Sequence, residues 1–100
     1  MIDYLKLREK IEKETVNKRE AKNYADSLFN APIELANIVE FWLDGQELDF
    51  EYTGITLFAI QEKEKCSYFR ALLRMQILMT NKTLADGYMK WTPSNKDWNK

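Results

Sequence analysis

The sequence predicts a mostly α fold, on three observations. Apolar residues recur at helical spacing in four stretches: 2–15, 21–29, 35–42 and 66–79. Proline and glycine fall between these stretches, at Pro32 and Gly45. The run from Thr56 to Met79 contains neither residue and includes QEKEK, a strongly helix-favouring segment. The expected architecture is a compact bundle of three to four helices around residues 56–80. A short β-hairpin within 46–60 is the competing element.

The first element carries Tyr4, Leu7 and Ile11 at helical spacing, with Ile2 and Leu5 alongside. The stripe fades over EKETVNKRE (12–20) and resumes at Ala21, Tyr24, Ala25, Leu28 and Phe29. Asn17 followed by Glu20 has the form of a helix start, although the capping box prefers Ser or Thr in first place. The pattern admits one long helix with a solvated middle or two helices meeting near Val16–Asn17, and one kinked helix is the favoured reading. Asn30-Ala-Pro32 ends it, because proline disfavours helical geometry in the residue before it. Pro32 also suits the first turn of the next helix. Leu35, Ile38, Val39 and Trp42 form that helix's apolar face, and Gly45 suits a left-handed cap after Asp44.

Residues 46–60 admit two readings. LDFEY alternates as a strand would, with Thr53-Gly54 turning it into ITLFA. Alternatively, a loop leads to a long helix starting at Thr53 or Thr56, and this is the favoured reading because an isolated two-stranded ribbon needs support. From Cys66 to Met79 the helix is apolar over most of its circumference, leaving Ser67, Arg70 and Arg74 as a narrow polar stripe. Asn81-Lys82-Thr83 breaks it, and TLADGYMKW adds a short helical turn. A single helical domain over 1–92 with a C-terminal tail at 93–100 is the expected organisation.

Composition narrows function by exclusion. The chain of 100 residues has no histidine and one cysteine. That removes Ser-His-Asp and Cys-His nucleophiles, His-bearing zinc sites and any internal disulfide. The glycines Gly45, Gly54 and Gly87 are dispersed, and neither GxxxxGK[ST] nor GxGxxG occurs. No enzymatic role, cofactor or metal is expected. No signal-peptide pattern or membrane span is visible, and a reduced cytoplasmic setting is expected.

The net charge of −1 hides three unequal blocks. Residues 1–22 hold seven basic and five acidic residues; residues 23–62 hold eight acids and no base; residues 63–100 hold eight bases and three acids. The ordinary reading is that the acidic middle lies beside basic residues and is neutralised there, through exposed pairs worth ~0–1 kcal/mol each. The sharper reading is an acidic surface that steers a basic partner.

The stretch EFWLDGQELDFEY (40–52) concentrates the question, with five acids, four aromatics and no basic residue. DGQELDFE lacks the spacing of a calcium loop. Paired carboxylates such as Glu47 and Asp49 would need desolvation to do acid–base work. Trp42 belongs to a core stripe. The remaining residues, Asp44, Glu47, Asp49, Phe50, Glu51 and Tyr52, are the candidate partner-binding set, anchored by rings and steered by charge.

Two weaker candidates lie further on. Cys66, near Lys63, Lys65 and Arg70, is read as a small apolar residue on an inner helix face rather than a reactive thiol. Tyr88, Lys90, Trp91 and Trp98 interleave rings with cations, a pattern suited to single-stranded nucleic acid, but the acidic middle disfavours phosphate. The leading expectation is a small non-enzymatic regulator: an inhibitor, adaptor or immunity-type protein, of the kind bacteriophages and mobile elements encode, that engages a basic protein. The alternatives are a structural subunit that self-associates through helix 66–79, and a weak nucleic-acid binder using the C-terminal tail.

Overall fold

The structure, a computed structural model, describes residues 2–14 and 17–90, with the side chain of Lys90 outside that description. The fold is mostly α, with a small antiparallel hairpin. The chain divides into two compact units, Met1–Leu48 and Asp49–Lys100.

In the first unit, α1 (Tyr4–Glu14) begins where the Asp3 carboxylate accepts the Lys6 backbone N–H at 3.2 Å. Its Leu7 and Ile11 are buried. The expected continuous helix is two helices. α2 (Lys18–Ser27) has its own N-cap, Asn17, whose backbone is extended and whose side chain accepts the Glu20 N–H at 3.0 Å. An extended residue cannot sit inside a helix, so the capping signal outweighs the continuity of the pattern. A 3-10 turn, Leu28–Asn30, leads to Ala31 and Pro32, both extended. Pro32 is the N-cap of α3 (Ile33–Leu43), one position earlier than the sequence suggests.

α3 buries Leu35, Ile38, Val39, Trp42 and Leu43. It closes through Gly45, at φ 86°, whose N–H reaches the Trp42 carbonyl at 3.0 Å while the Gln46 N–H reaches that of Phe41 at 2.8 Å. This pair of bonds is the Schellman arrangement, which places a glycine in the left-handed region. Asp44 beside it pairs with Lys6 at 3.4 Å, and the Lys10 ammonium donates to the Trp42 carbonyl.

The second unit opens with β1 (Glu51–Tyr52) and β2 (Ile55–Thr56), paired Glu51 with Thr56 and Tyr52 with Ile55. Thr53 and Gly54 both have positive φ, 51° and 84°, as the commonest two-residue hairpin turn requires. The two sequence readings of 46–60 therefore combine. The hairpin forms, and Thr56 ends it by capping α4 (Leu57–Glu64), its hydroxyl accepting the Ala59 N–H at 2.9 Å.

The expected long helix is broken after α4. Lys65 adopts the left-handed conformation, and Ser67 then caps α5 (Tyr68–Thr80) by accepting the Arg70 N–H at 3.3 Å. α5 packs against α4, and Tyr68, Phe69, Ala71, Leu72, Met75 and Leu78 are buried. The Arg74 guanidinium spans the two helices to the Glu64 carboxylate, at 3.0 Å and 3.4 Å. Asn81 caps α6 (Lys82–Lys90), a full helix in place of the single turn expected. The proposed tail at 93–100 lies outside the described residues.

Candidate functional site

The candidate residues between 44 and 52 have distinct surroundings. Asp44 is exposed at the end of α3 and held by Lys6 from α1. Glu47 is exposed in the irregular stretch after the α3 cap. Asp49 and Glu51 are exposed, whereas Phe50 and Tyr52 are half-buried. Strand geometry accounts for that alternation, because successive side chains point to opposite faces. The Phe50 carbonyl accepts the Leu57 N–H at 3.0 Å, so the hairpin base fixes the backbone between the two acids. Among the described residues, no ion pair reaches Glu47, Asp49 or Glu51.

Tyr88 is buried on α6, with the Lys63 ammonium 3.9 Å from its ring centroid. That cation–π contact lies within the second unit and covers the ring a base would stack on. The Lys90 side chain, Trp91 and Trp98 lie outside the described residues.

Cys66 is half-buried beside a small cavity of about 130 Å³ lined by Glu64, Arg70 and Arg74. Burial, and then the Glu64 charge, push its thiol above the ordinary range, while Arg70 and Arg74 pull the other way. The thiol is therefore disfavoured as a nucleophile at neutral pH. Among the described residues, no group of three acidic or thiol side chains is placed to hold a metal ion. No helix of the described residues is long and apolar enough to cross a membrane.

The structure also shows a feature the sequence reading missed, an open groove of about 330 Å³ on the first unit. Tyr4 of α1, Leu28 and Phe29 of the 3-10 turn, and Ile33, Asn37 and Glu40 of α3 line it. Tyr4 and Phe29 stack with centroids 4.2 Å apart. Phe29 remains 73% exposed and Ile33 75% exposed, which is unusual for large apolar side chains placed together. Partial burial, and then the charge of Asp26, raise the pKa of the Tyr4 hydroxyl.

No protein-family model, no curated protein and no solved structure matches this chain, so its function is read from its own residues.

Proposed function

We propose that the protein is a non-enzymatic binding regulator, of the inhibitor or adaptor kind, whose acidic stretch engages a basic surface on another protein. The observation that carries the reading is the exposure of Glu47, Asp49 and Glu51 with no ion pair from any described residue. Neutralisation by the chain's own cations would have made the acidic block an internal matter. Lys6 takes up Asp44 in that way, but the other three acids stay available. Exposed charges of one sign raise the rate of encounter with an oppositely charged partner and disfavour wrong ones. Phe50 and Tyr52, half-buried between the acids, supply apolar contact where the charges guide docking.

Self-association through helix 66–79 has less support. Most apolar residues of α5 are already buried within a single chain, with Ile77 exposed and Leu73 and Met79 half-buried.

The test compares wild type with a triple reversal, Glu47→Lys, Asp49→Lys and Glu51→Lys, each shown to be folded by circular dichroism. Both are used to capture proteins from cell lysate, and the captured protein is then purified and its binding measured across salt concentrations. A basic partner held by wild type, lost by the reversal and weakened by salt supports the proposal. A partner held equally by both proteins refutes it.

A further inference from the structure

The hairpin of the second unit leaves a backbone edge open beside two of the exposed acids. Tyr52 faces Ile55 across the two-residue turn, and the Phe50 carbonyl accepts the Leu57 N–H at 3.0 Å. Bonds towards β2 therefore fall on Phe50 and Tyr52. Antiparallel pairing alternates such residues with ones whose N–H and C=O point away from the partner strand. Glu51, opposite Thr56, is the residue that points away. Among the described residues, no hydrogen bond reaches its backbone from the outer side. Its side chain and that of Asp49 are exposed on one face, with the half-buried Phe50 and Tyr52 on the other.

We propose that the outer edge of β1 accepts an extended strand of the basic partner, in which lysines or arginines alternate with apolar residues. This mode of binding rests on the acidic-stretch reading and adds how the partner is held. An open strand edge is a template for one more strand, whose main chain it binds through N–H and C=O groups. The side chains then choose the strand. A residue set opposite Glu51 lies on the same face with its Cβ about 5 Å away, so a cation there pairs with Glu51. The next residue but one reaches Asp49, and the residue between them, on the face of Phe50 and Tyr52, is apolar. A second copy of this chain is a poor occupant, because two antiparallel β1 edges would set acids opposite acids. Nucleic acid and anionic lipid offer no backbone ladder and meet the same repulsion.

The test is a titration of the isotope-labelled full chain with three short peptides, followed by amide NMR shifts and hydrogen exchange. The first peptide alternates Lys and Val, and the second alternates Glu and Val. The third is the Lys/Val peptide N-methylated at each lysine. In antiparallel pairing the lysine opposite Glu51 both gives and takes a backbone bond, so methylation there blocks the ladder and keeps the charge. The Lys/Val peptide is expected to shift the amides from Asp49 to Tyr52 and to slow exchange of the Glu51 amide about tenfold near saturation. The N-methylated peptide is expected to bind about tenfold more weakly and to leave that exchange unchanged. Glu51→Lys is expected to reverse the preference between the Lys/Val and Glu/Val peptides.

Slower exchange at Glu51 is a signature that attraction between charges would not produce by itself. Equal binding of the Lys/Val and N-methylated peptides, with no protection of Glu51, overturns the strand edge and leaves the acidic-stretch reading standing. Equal protection by the Lys/Val and Glu/Val peptides overturns the choice of a basic strand, and the acidic-stretch reading with it. No amide movement up to about 1 mM peptide overturns the proposal, and the acids then serve only to keep the edge from pairing. Protection of Glu51 that grows with protein concentration in the absence of peptide assigns the edge to a second copy and overturns the proposal too.

Discussion

Replacing Thr53 with asparagine is expected to stabilise the protein, because the hairpin turn asks of Thr53 a conformation that threonine resists. Its φ of 51° lies in the left-handed region, as does that of Gly54 at 84°. For an L-residue that region costs roughly 1–2 kcal/mol, and a β-branched side chain fits it worst. Asparagine tolerates it, and Asn-Gly is the preferred pair for this turn. One loss sets against the gain: the Thr53 hydroxyl donates to the Tyr52 carbonyl at 2.7 Å. That bond is exposed, and its net value is at the low end of the usual range, about 0.5 kcal/mol. The balance is a gain of about 1 kcal/mol, or a melting temperature higher by ~4–8 °C for a chain of this size.

Thermal melts followed by circular dichroism measure the effect, and hydrogen exchange localises it. The Leu57 amide, bonded to the Phe50 carbonyl, is expected to exchange more slowly in the variant. Two controls separate backbone strain from the hydroxyl bond. Thr53→Val keeps the branching and removes the hydroxyl, so it is expected to melt slightly lower than wild type. Gly54→Ala is expected to cost about 1 kcal/mol from φ alone, since a Cβ there would meet the Met89 side chain only at 3.5 Å, an ordinary contact. An unchanged or lower melting temperature for Thr53→Asn, with Gly54→Ala harmless, would refute the left-handed turn and the register built on it.

Two further outcomes follow from the second unit. Lys65 ends α4 in the left-handed conformation, at φ 52° and ψ 53°, so Lys65→Gly is expected to raise stability by roughly 0.5–1 kcal/mol after the greater freedom of glycine in the unfolded chain is allowed for. A urea titration measures it, and a loss of stability would show that Lys65 does not occupy that conformation. Cys66 is expected to alkylate more slowly at pH 7 than the same thiol in the denatured chain, because a raised pKa leaves less thiolate. Glu64→Gln removes a charge that raises that pKa, so the folded variant is expected to react faster than wild type, measured by iodoacetamide kinetics across pH.

The helical class was legible because burial follows periodicity, and the helix ends were legible where a side chain could cap them. Thr56 is a plausible cap by residue type, and so is Asn17 followed by Glu20. The break at Lys65 had only Ser67, a cap by residue type that the sequence pattern assigns to a polar stripe, set against QEKEK, which favours continuing the helix. Packing explains why it breaks. Ile60 and Phe69 are both fully buried, yet nine residues along a straight helix correspond to about two and a half turns, which would turn them to opposite sides. Folding α5 back against α4 lets both side chains leave solvent. Local propensity cannot register that gain, because it exists only once the two segments meet.

The candidate sites were legible to different depths for a related reason. Charge segregation is a property of the sequence, but pairing depends on which cations the fold brings near. Lys6 reaches Asp44 across 38 positions, and Lys63 is drawn to the ring of Tyr88. The groove was hidden more completely, because Tyr4 and Phe29 belong to apolar stripes whose other members, Leu7, Ile11, Ala21 and Leu28, are buried. A stripe marks which residues seek burial and not whether the chain supplies a cover for each. Phe29 follows the end of α2, in a 3-10 turn whose tighter winding carries it away from the position another α-helical residue would take. Ile33 begins α3 on a different side from the buried Leu35 and Trp42. Two apolar residues at adjoining helix ends are thus left uncovered by the change of direction at Ala31-Pro32.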